Sequence, residues 1–362
     1  MNNTTDHRIQ ALQAQLPADA VVIISDPESV EYFTDFHTLV PTEREAFACI
    51  SQTDAVLLHA AFSPVPYYTK KNKLRTLTGT SPDALSNTVR QFATTGSRKV
   101  LVQKHSLFVS EFEALARIDS VEIASLDQKL IWSLRMHKSD SEKAAMAMAG
   151  KITAEAFATV TALLKPGITE NEVRKQLEQA MRQQDAELAF PTIVAFGPHT
   201  ALPHHQPTDT QLTNNTPVLI DLGARYQGYC ADMTRSWWFG DEPDKKYQKI
   251  QQTVDEAYAA AIAELKSALS NEQQDHTVAD LDQAARNCIE DADFNQYFIH
   301  TTGHGLGLAI HEQPSIHSQN FTKISPDMVF TIEPGIYLPG KFGYRYENTV
   351  MIENGKVVEL TN

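Results

Sequence analysis

The chain has 362 residues, room for two domains of ordinary size rather than one. Its 42% apolar and 21% charged residues, with 15 glycines and 17 prolines, exclude a disordered, collagen-like or low-complexity protein. Forty-five acidic against 31 basic residues leave a formal charge of −14, which repels phosphate backbones and anionic lipid and so excludes nucleic acid and membrane surfaces as natural partners.

Residues 1–16 have neither a basic start nor an apolar core. No later run approaches the roughly 18 to 20 apolar residues needed to span a bilayer, so the expected location is cytoplasmic. From Ala20 to Ile24 and from Val100 to Val102 the chain reads as buried strands, mixed with helical segments. That alternation predicts an α/β domain with a partly parallel sheet, whose first strand is closed by Asp26-Pro27. The texture changes around Leu134 to Lys138, and Ser139 to Glu142 reads as a helix N-cap with an acidic first turn, placing the domain boundary near residue 135. The expected domains are therefore 1–135 and 136–362.

Glu142 to Leu164 is Ala-rich and helical, ended by Lys165-Pro166-Gly167, and Thr169 to Glu172 opens a further helix with capping-box spacing. Two more helices are predicted near Lys246 to Leu269 and Val278 to Ala292. Strand-like runs lie at Pro217 to Asp221, Tyr229 to Phe239, Met328 to Tyr337 and Asn348 to Ile352. The second domain is thus expected to be α+β, an antiparallel sheet carrying helices on one face. Cys49, Cys230 and Cys288 are odd in number and lack CxxC spacing, which argues against a disulfide framework or a thiolate metal site and for small buried packing residues.

Seven of the thirteen histidines fall in residues 199–205 and 300–317. Beside them stand carboxylates in apolar, strand-like surroundings: Asp221, Asp232, Glu333 and Glu347. Ionised carboxylates in an apolar sheet are costly unless cations pair with them. One divalent ion would leave four carboxylates strongly anionic, whereas two nearly neutralise them. A pair of ions roughly 3.5 to 4 Å apart can hold and activate a water for attack on a carbonyl. Hard oxygen donors with one imidazole suit Mn²⁺ or Co²⁺ better than a closed structural zinc site, Zn²⁺ remaining an alternative. His311 and His317 stand six apart, so they do not form the helical zinc-protease motif.

The order of these residues is more specific than any one of them. Asp221, Asp232, then Gly303-His304-Gly305, then Glu333-Pro334-Gly335 and Glu347 resemble the metal-ligand series of the pita-bread (M24-type) metallopeptidases, the group of methionine aminopeptidase, aminopeptidase P and prolidase. The segment from Gly197 to His204 and that from Thr302 to Glu312 resemble the family's surrounding motifs. The resemblance implies that Asp221 chelates one ion, His304 and Glu333 bind the other, and Asp232 and Glu347 bridge both. It also implies that Glu333 shuttles the proton, and that His204 and His311 grip the substrate carbonyl and steady the oxyanion. Arg345 matches an arginine beside the cluster in the Xaa-Pro branch, and its role stays open between substrate contact and an ion pair holding a ligand. Asn348 stands where the family commonly has Asp, and His199 where it commonly has Asn. His205, His300 and His317 match no role and are expected in loops or in support of the ligands.

About 135 residues precede this region and resemble a creatinase-like N-terminal domain, Ser25 to Phe36 looking like its strand-then-helix opening. Such a domain implies the Xaa-Pro branch, a covered active site and a homodimer. The expected activity is hydrolysis of Xaa-Pro bonds in short peptides, where proline leaves a tertiary amide that ordinary proteases handle poorly. The compact second domain and the short loop between Glu333 and Glu347 tilt the expectation toward an Xaa-Pro dipeptidase (prolidase) over an aminopeptidase P. A metal-free creatinase-like amidinohydrolase and a non-catalytic binding protein use the same fold, but those relatives lose ligands that this chain keeps.

Overall fold

In a computed structural model the chain divides into two compact units, Met1–Arg135 and Met136–Asn362. The structure describes residues 4–40, 42–64, 74–270 and 275–362. Among these, no helix is long and apolar enough to cross a membrane.

The first unit runs α1 (Thr4–Gln13), β1 (Ala20–Ile24), α2 (Pro27–Thr34), β2 (Ala46–Ser51), β3 (Ala55–His59), β4 (Arg75–Thr78), α3 (Pro82–Thr94), β5 (Lys99–Val102), α4 (Val109–Ala116), β6 (Glu122–Ser125) and α5 (Lys129–Arg135). Its sheet has the order β4-β3-β2-β1-β5-β6. The β1–β5, β5–β6 and β3–β4 pairs are parallel and the others antiparallel. β1 is buried along its whole length, as a strand covered on both faces must be. Asp26 does more than close β1: its side chain accepts from Ser29 N and caps α2, whose first residue is Pro27.

The second unit opens with α6 (Asp140–Thr161) and α7 (Glu170–Arg182). Both begin at capping boxes, Ser139 with Glu142 and Thr169 with Glu172. There follow β7 (Glu187–Leu188), β8 (Ile193–Phe196), β9 (Thr216–Leu222), β10 (Ala224–Tyr226), β11 (Tyr229–Cys230), β12 (Met233–Phe239), α8 (Lys245–Ser270) and α9 (Val278–Asp291). The chain ends with β13 (Gly303–Gly305), β14 (Glu312–Ile316), β15 (Val329–Ile332), β16 (Gly335–Leu338), β17 (Phe342–Arg345), β18 (Asn348–Glu353) and β19 (Lys356–Glu359). Instead of one antiparallel sheet, the strands form several small ones, chiefly β12-β9-β8 and β14-β13-β15-β18-β19.

Each of these two sheets is backed by a helix pair. Ile152, Ala156 and Val160 of α6 and Val173, Leu177 and Met181 of α7 pack on Val218, Ile220 and Leu222 of β9. Ile250, Val254 and Ala257 of α8 and Leu281 and Ala285 of α9 pack on Phe330 and Ile332 of β15 and Val350 and Ile352 of β18. Because side chains alternate along a strand, Asp221 on β9, Thr331 on β15 and Thr349 on β18 are turned to the faces away from the helices. The same parity applies to Glu347, two residues before Thr349.

The three cysteines are free, and Cys230 packs with Met146, Leu306, Val329 and Met351.

Candidate metal centre

Three of the carboxylates stand where strands break. Asp232 lies between β11 and β12, Glu333 between β15 and β16, and Glu347 between β17 and β18. The runs Tyr229 to Phe239 and Met328 to Tyr337, expected to be continuous, are therefore interrupted at candidate ligands. Pro334 has no N–H to continue the ladder after Glu333. At Asp232 the backbone bonds go to a side chain instead of a strand: its N–H donates to Thr349 Oγ1 at 2.9 Å, and the same hydroxyl donates to its carbonyl at 2.8 Å.

His304 sits in β13, squeezed between β14 and β15. A Cβ on Gly303 would fall 1.9 Å from the Thr331 carbonyl oxygen, and one on Gly305 would fall 2.2 Å from that of Gln313. Only glycine permits backbone to approach this closely on either side of the histidine. The His304 Nδ1 donates to the Gly305 carbonyl at 3.0 Å, which leaves Nε2 with its lone pair. That Nε2 lies 3.3 Å from Glu333 Oε1 and 3.7 Å from Asp232 Oδ2. Donor atoms of Asp232, His304 and Glu347 all fall within 4.8 Å of one another, a spacing that could hold a metal ion.

The charges are crowded and largely withdrawn from water: Asp221, Asp232 and Glu347 are 8%, 5% and 1% exposed. Burial, then the neighbouring Glu347, Asp221 and Glu333, pushes the Asp232 carboxyl well above the usual carboxylate range. Burial, then Glu333 and Asp221, does the same to Glu347. Glu333 is raised by burial, against the pull of His300 and Arg345. Among the described residues, Asp221 Oδ1, Asp232 Oδ1 and Glu347 Oε1 are buried without a hydrogen-bond partner. Orphaned buried carboxylate oxygens are expensive in a protein alone and are what a cation would satisfy. The donor set, hard oxygens with one imidazole, fits divalent cations.

Arg345 is 3% exposed, and its guanidinium bonds run within the protein. Nη2 donates to Asp221 Oδ2 at 2.6 Å, Nη1 to the Tyr337 hydroxyl at 2.7 Å and Nε to Thr234 Oγ1 at 2.9 Å. Thr234 in turn donates to Glu347 Oε2 at 2.6 Å. One arginine thus fixes Asp221 directly and Glu347 through a hydroxyl. His304 N donates to Thr331 Oγ1, which donates to Glu333 Oε1 at 3.2 Å. Arg235 donates to the Glu347 carbonyl at 2.5 Å and to Asn348 Oδ1 at 2.7 Å.

Thr234, Thr331, Arg235 and Tyr337 were not singled out from the sequence. The period of two along a strand could have pointed to Thr234 and Thr331, each two residues from a candidate ligand, but Tyr337 carries no such local signal. Asn348, one residue beyond Glu347, turns from the cluster: its amide donates to the Tyr258 hydroxyl and to Glu359 Oε2. Asp in that position would set two carboxylates together.

Of the histidines, His311 is exposed, and its ring lies 4.5 Å from that of His304. Partial burial of the ring and then His304 hold its pKa below the ordinary imidazole value, with exposed His204 close enough to lower it further. His300 Nε2 bonds the Tyr337 hydroxyl at 2.9 Å, joining the arginine network. His317 Nδ1 accepts from Gln319 N in a loop. His199 and His205 belong to a separate group around Glu170.

Residues 144–354 match the model of metallopeptidase family M24, and residues 8–137 that of the creatinase/prolidase N-terminal domain. The chain belongs to metallopeptidase family M24. An uncharacterized peptidase of Staphylococcus aureus is 37% identical to this M24 chain over 73% of both sequences. Among solved structures, an Xaa-Pro dipeptidase from Bacillus anthracis matches with a TM-score of 0.87 at 28% identity, covering 99% of this chain and 98% of the other. A prolidase from Pyrococcus furiosus matches at 0.81 and 29%, covering 94% and 96%. An X-Pro aminopeptidase from Thermotoga maritima matches at 0.78 and 29%, covering 97% of each. The chain is therefore a peptidase of the pita-bread fold with a creatinase-type N-terminal domain, in a family that works with divalent metal ions.

Proposed function

We propose that this M24 peptidase hydrolyses Xaa-Pro bonds in short peptides and that its preferred substrate is the dipeptide. The observation that carries the reading is the convergence of donor atoms of Asp232, His304 and Glu347 within 4.8 Å of one another, with Glu333 3.3 Å from His304 Nε2, and with Asp221 Oδ1, Asp232 Oδ1 and Glu347 Oε1 buried and without hydrogen-bond partners among the described residues. Likeness to an Xaa-Pro dipeptidase over nearly the whole chain supports the choice of substrate.

In this reading Asp221 would hold one divalent ion, His304 and Glu333 the other, and Asp232 and Glu347 both, Mn²⁺ being the favoured metal and Co²⁺ or Zn²⁺ the alternatives. When bound, two such ions supply an activated water and polarise the scissile carbonyl. The chain's own residues do the rest. Glu333 takes a proton on its carboxylate and returns it to the departing proline nitrogen. His204 and His311 face the substrate carbonyl, and each offers an N–H to the oxygen as negative charge gathers there. A lowered pKa keeps His311 neutral at pH 7, so it donates without adding fixed positive charge. Of the two roles open to Arg345, the bonds to Asp221, Thr234 and Tyr337 favour holding the ligands over touching the peptide. A homodimer working in the cytoplasm completes the proposal, on the strength of the family resemblance.

Incubating Mn²⁺-loaded protein with Xaa-Pro and with Xaa-Pro-Xaa-Xaa, and identifying the products, tests the substrate. Free proline from the dipeptide is expected. Cleavage of the longer peptide alone would replace the dipeptidase reading with the aminopeptidase one.

A further inference from the structure

Glu170 is the first residue of α7 and is fully buried, yet it is not one of the candidate metal ligands. Its carboxylate is saturated by donors from one stretch of chain. Oε1 accepts from Phe196 N and from His199 Nδ1, both at 2.8 Å. Oε2 accepts from His205 Nε2 at 3.0 Å, Thr208 N at 2.9 Å and Thr208 Oγ1 at 2.7 Å. The rings of His199 and His205 stack with centroids 4.3 Å apart. Burial would raise the carboxyl, but the bonds from His205, His199 and Thr208 outweigh it and bring its pKa below the ordinary value, so Glu170 stays ionised. Charge-assisted bonds of this kind are the strong ones.

A glutamate with two histidines could instead be a metal site, and the three do lie close enough. The comparison with the main cluster decides against it. There, buried carboxylate oxygens lack partners among the described residues. Here both oxygens of Glu170 are occupied, and each histidine nitrogen facing the carboxylate is already spent on it.

The donors instead share a position in the chain: they span 196–208, the segment that contains His204. This segment is anchored a second time, because Gly343 N on β17 donates to Thr200 Oγ1 at 2.9 Å, two residues before Arg345. With His205 turned inward onto Glu170, its neighbour His204 is left exposed. We propose that Glu170 is a positioning residue for hydrolysis: its carboxylate clamps the 196–208 segment so that His204 is held toward the substrate carbonyl. This rests on the substrate-facing role of His204 given above. A misplacement on the order of 1 Å in such a group costs roughly 100-fold in rate.

The test is a double-mutant cycle on Mn²⁺-loaded protein, with kcat, KM and metal content measured for Glu170→Gln, His204→Ala and the pair. Glu170→Gln keeps the shape but turns an amide NH₂ toward N–H donors. It is expected to lower kcat about 10- to 100-fold with KM and metal content little changed, and to cost less than about 3-fold in the His204→Ala background. Thr208→Val removes a single donor and gives a milder form of the same pattern should the first variant not fold. Equal losses in both backgrounds would overturn the proposal, as would loss in Glu170→Gln of a metal ion beyond those of the main cluster. An active enzyme indifferent to His204→Ala overturns it through its premise, leaving the peptidase reading in place.

Discussion

Replacing Glu333 with alanine is expected to lower kcat/KM for an Xaa-Pro dipeptide by at least the roughly 10² to 10⁴-fold that a positioned acid–base group supplies. The same substitution should weaken metal binding, because the carboxylate lies 3.3 Å from His304 Nε2, among the other candidate ligands. Glu333→Gln separates the two roles. The amide keeps an oxygen for the cation but cannot carry a proton, so a metal-loaded yet inactive Gln variant supports the shuttle. Wild-type turnover in either variant would remove Glu333 from the mechanism. Both measurements are needed, since activity alone does not tell a lost ion from a lost base.

Arg345→Met is expected to cost about 10- to 100-fold in activity or metal affinity, the usual toll of removing a residue that orients metal ligands. The structural cause is specific. The side chain releases Asp221, Thr234 and Tyr337 together, and through Thr234 it loosens Glu347. In metal-free protein the variant also leaves the buried Asp221 without its cation. Breaking a buried ion pair from one side costs about 3 to 5 kcal/mol. Arg345→Lys is expected to rescue little, because a single ammonium on a flexible stem cannot reproduce a planar fork reaching three acceptors. Normal kinetics and melting temperature in Arg345→Met would show that the network is idle.

The helices and the candidate ligands were legible in the sequence for different reasons. α6 is announced by an N-cap with an acidic first turn and α7 by capping-box spacing, both local devices, and the structure places both helices. α6 nevertheless stops at Thr161, short of the Leu164 expected from its apolar pattern. The carboxylates stood out because each sits in an apolar run, which is costly without a partner. What the sequence concealed is long-range. Asp232 breaks its strand by bonding Thr349, 117 positions away, and Arg345 finds Asp221, 124 positions away. The division of the second unit into several sheets has the same origin, since no local pattern says which strands pair. In the sequence Glu170 reads only as part of a helix N-terminus, because its partners His199, His205 and Thr208 lie 29, 35 and 38 positions further on.

The most direct test is titration of chelator-stripped protein with Mn²⁺, following bound metal and Xaa-Pro hydrolysis together across pH. Asp232 and Glu347 titrate well above the usual carboxylate range in the metal-free fold, as a result of burial and their neighbours' charge. In the window between the ordinary carboxylate pKa of about 4 and those raised values, the folded protein keeps protons that the unfolded chain has lost. Metal-free stability therefore falls as pH rises through that window, while metal competes better with the departing protons. Two ions per chain are expected, with affinity that weakens as pH falls and activity that appears only as they bind. Activity in the stripped protein, or no uptake of Mn²⁺, Co²⁺ or Zn²⁺ at neutral pH, would contradict a two-metal peptidase.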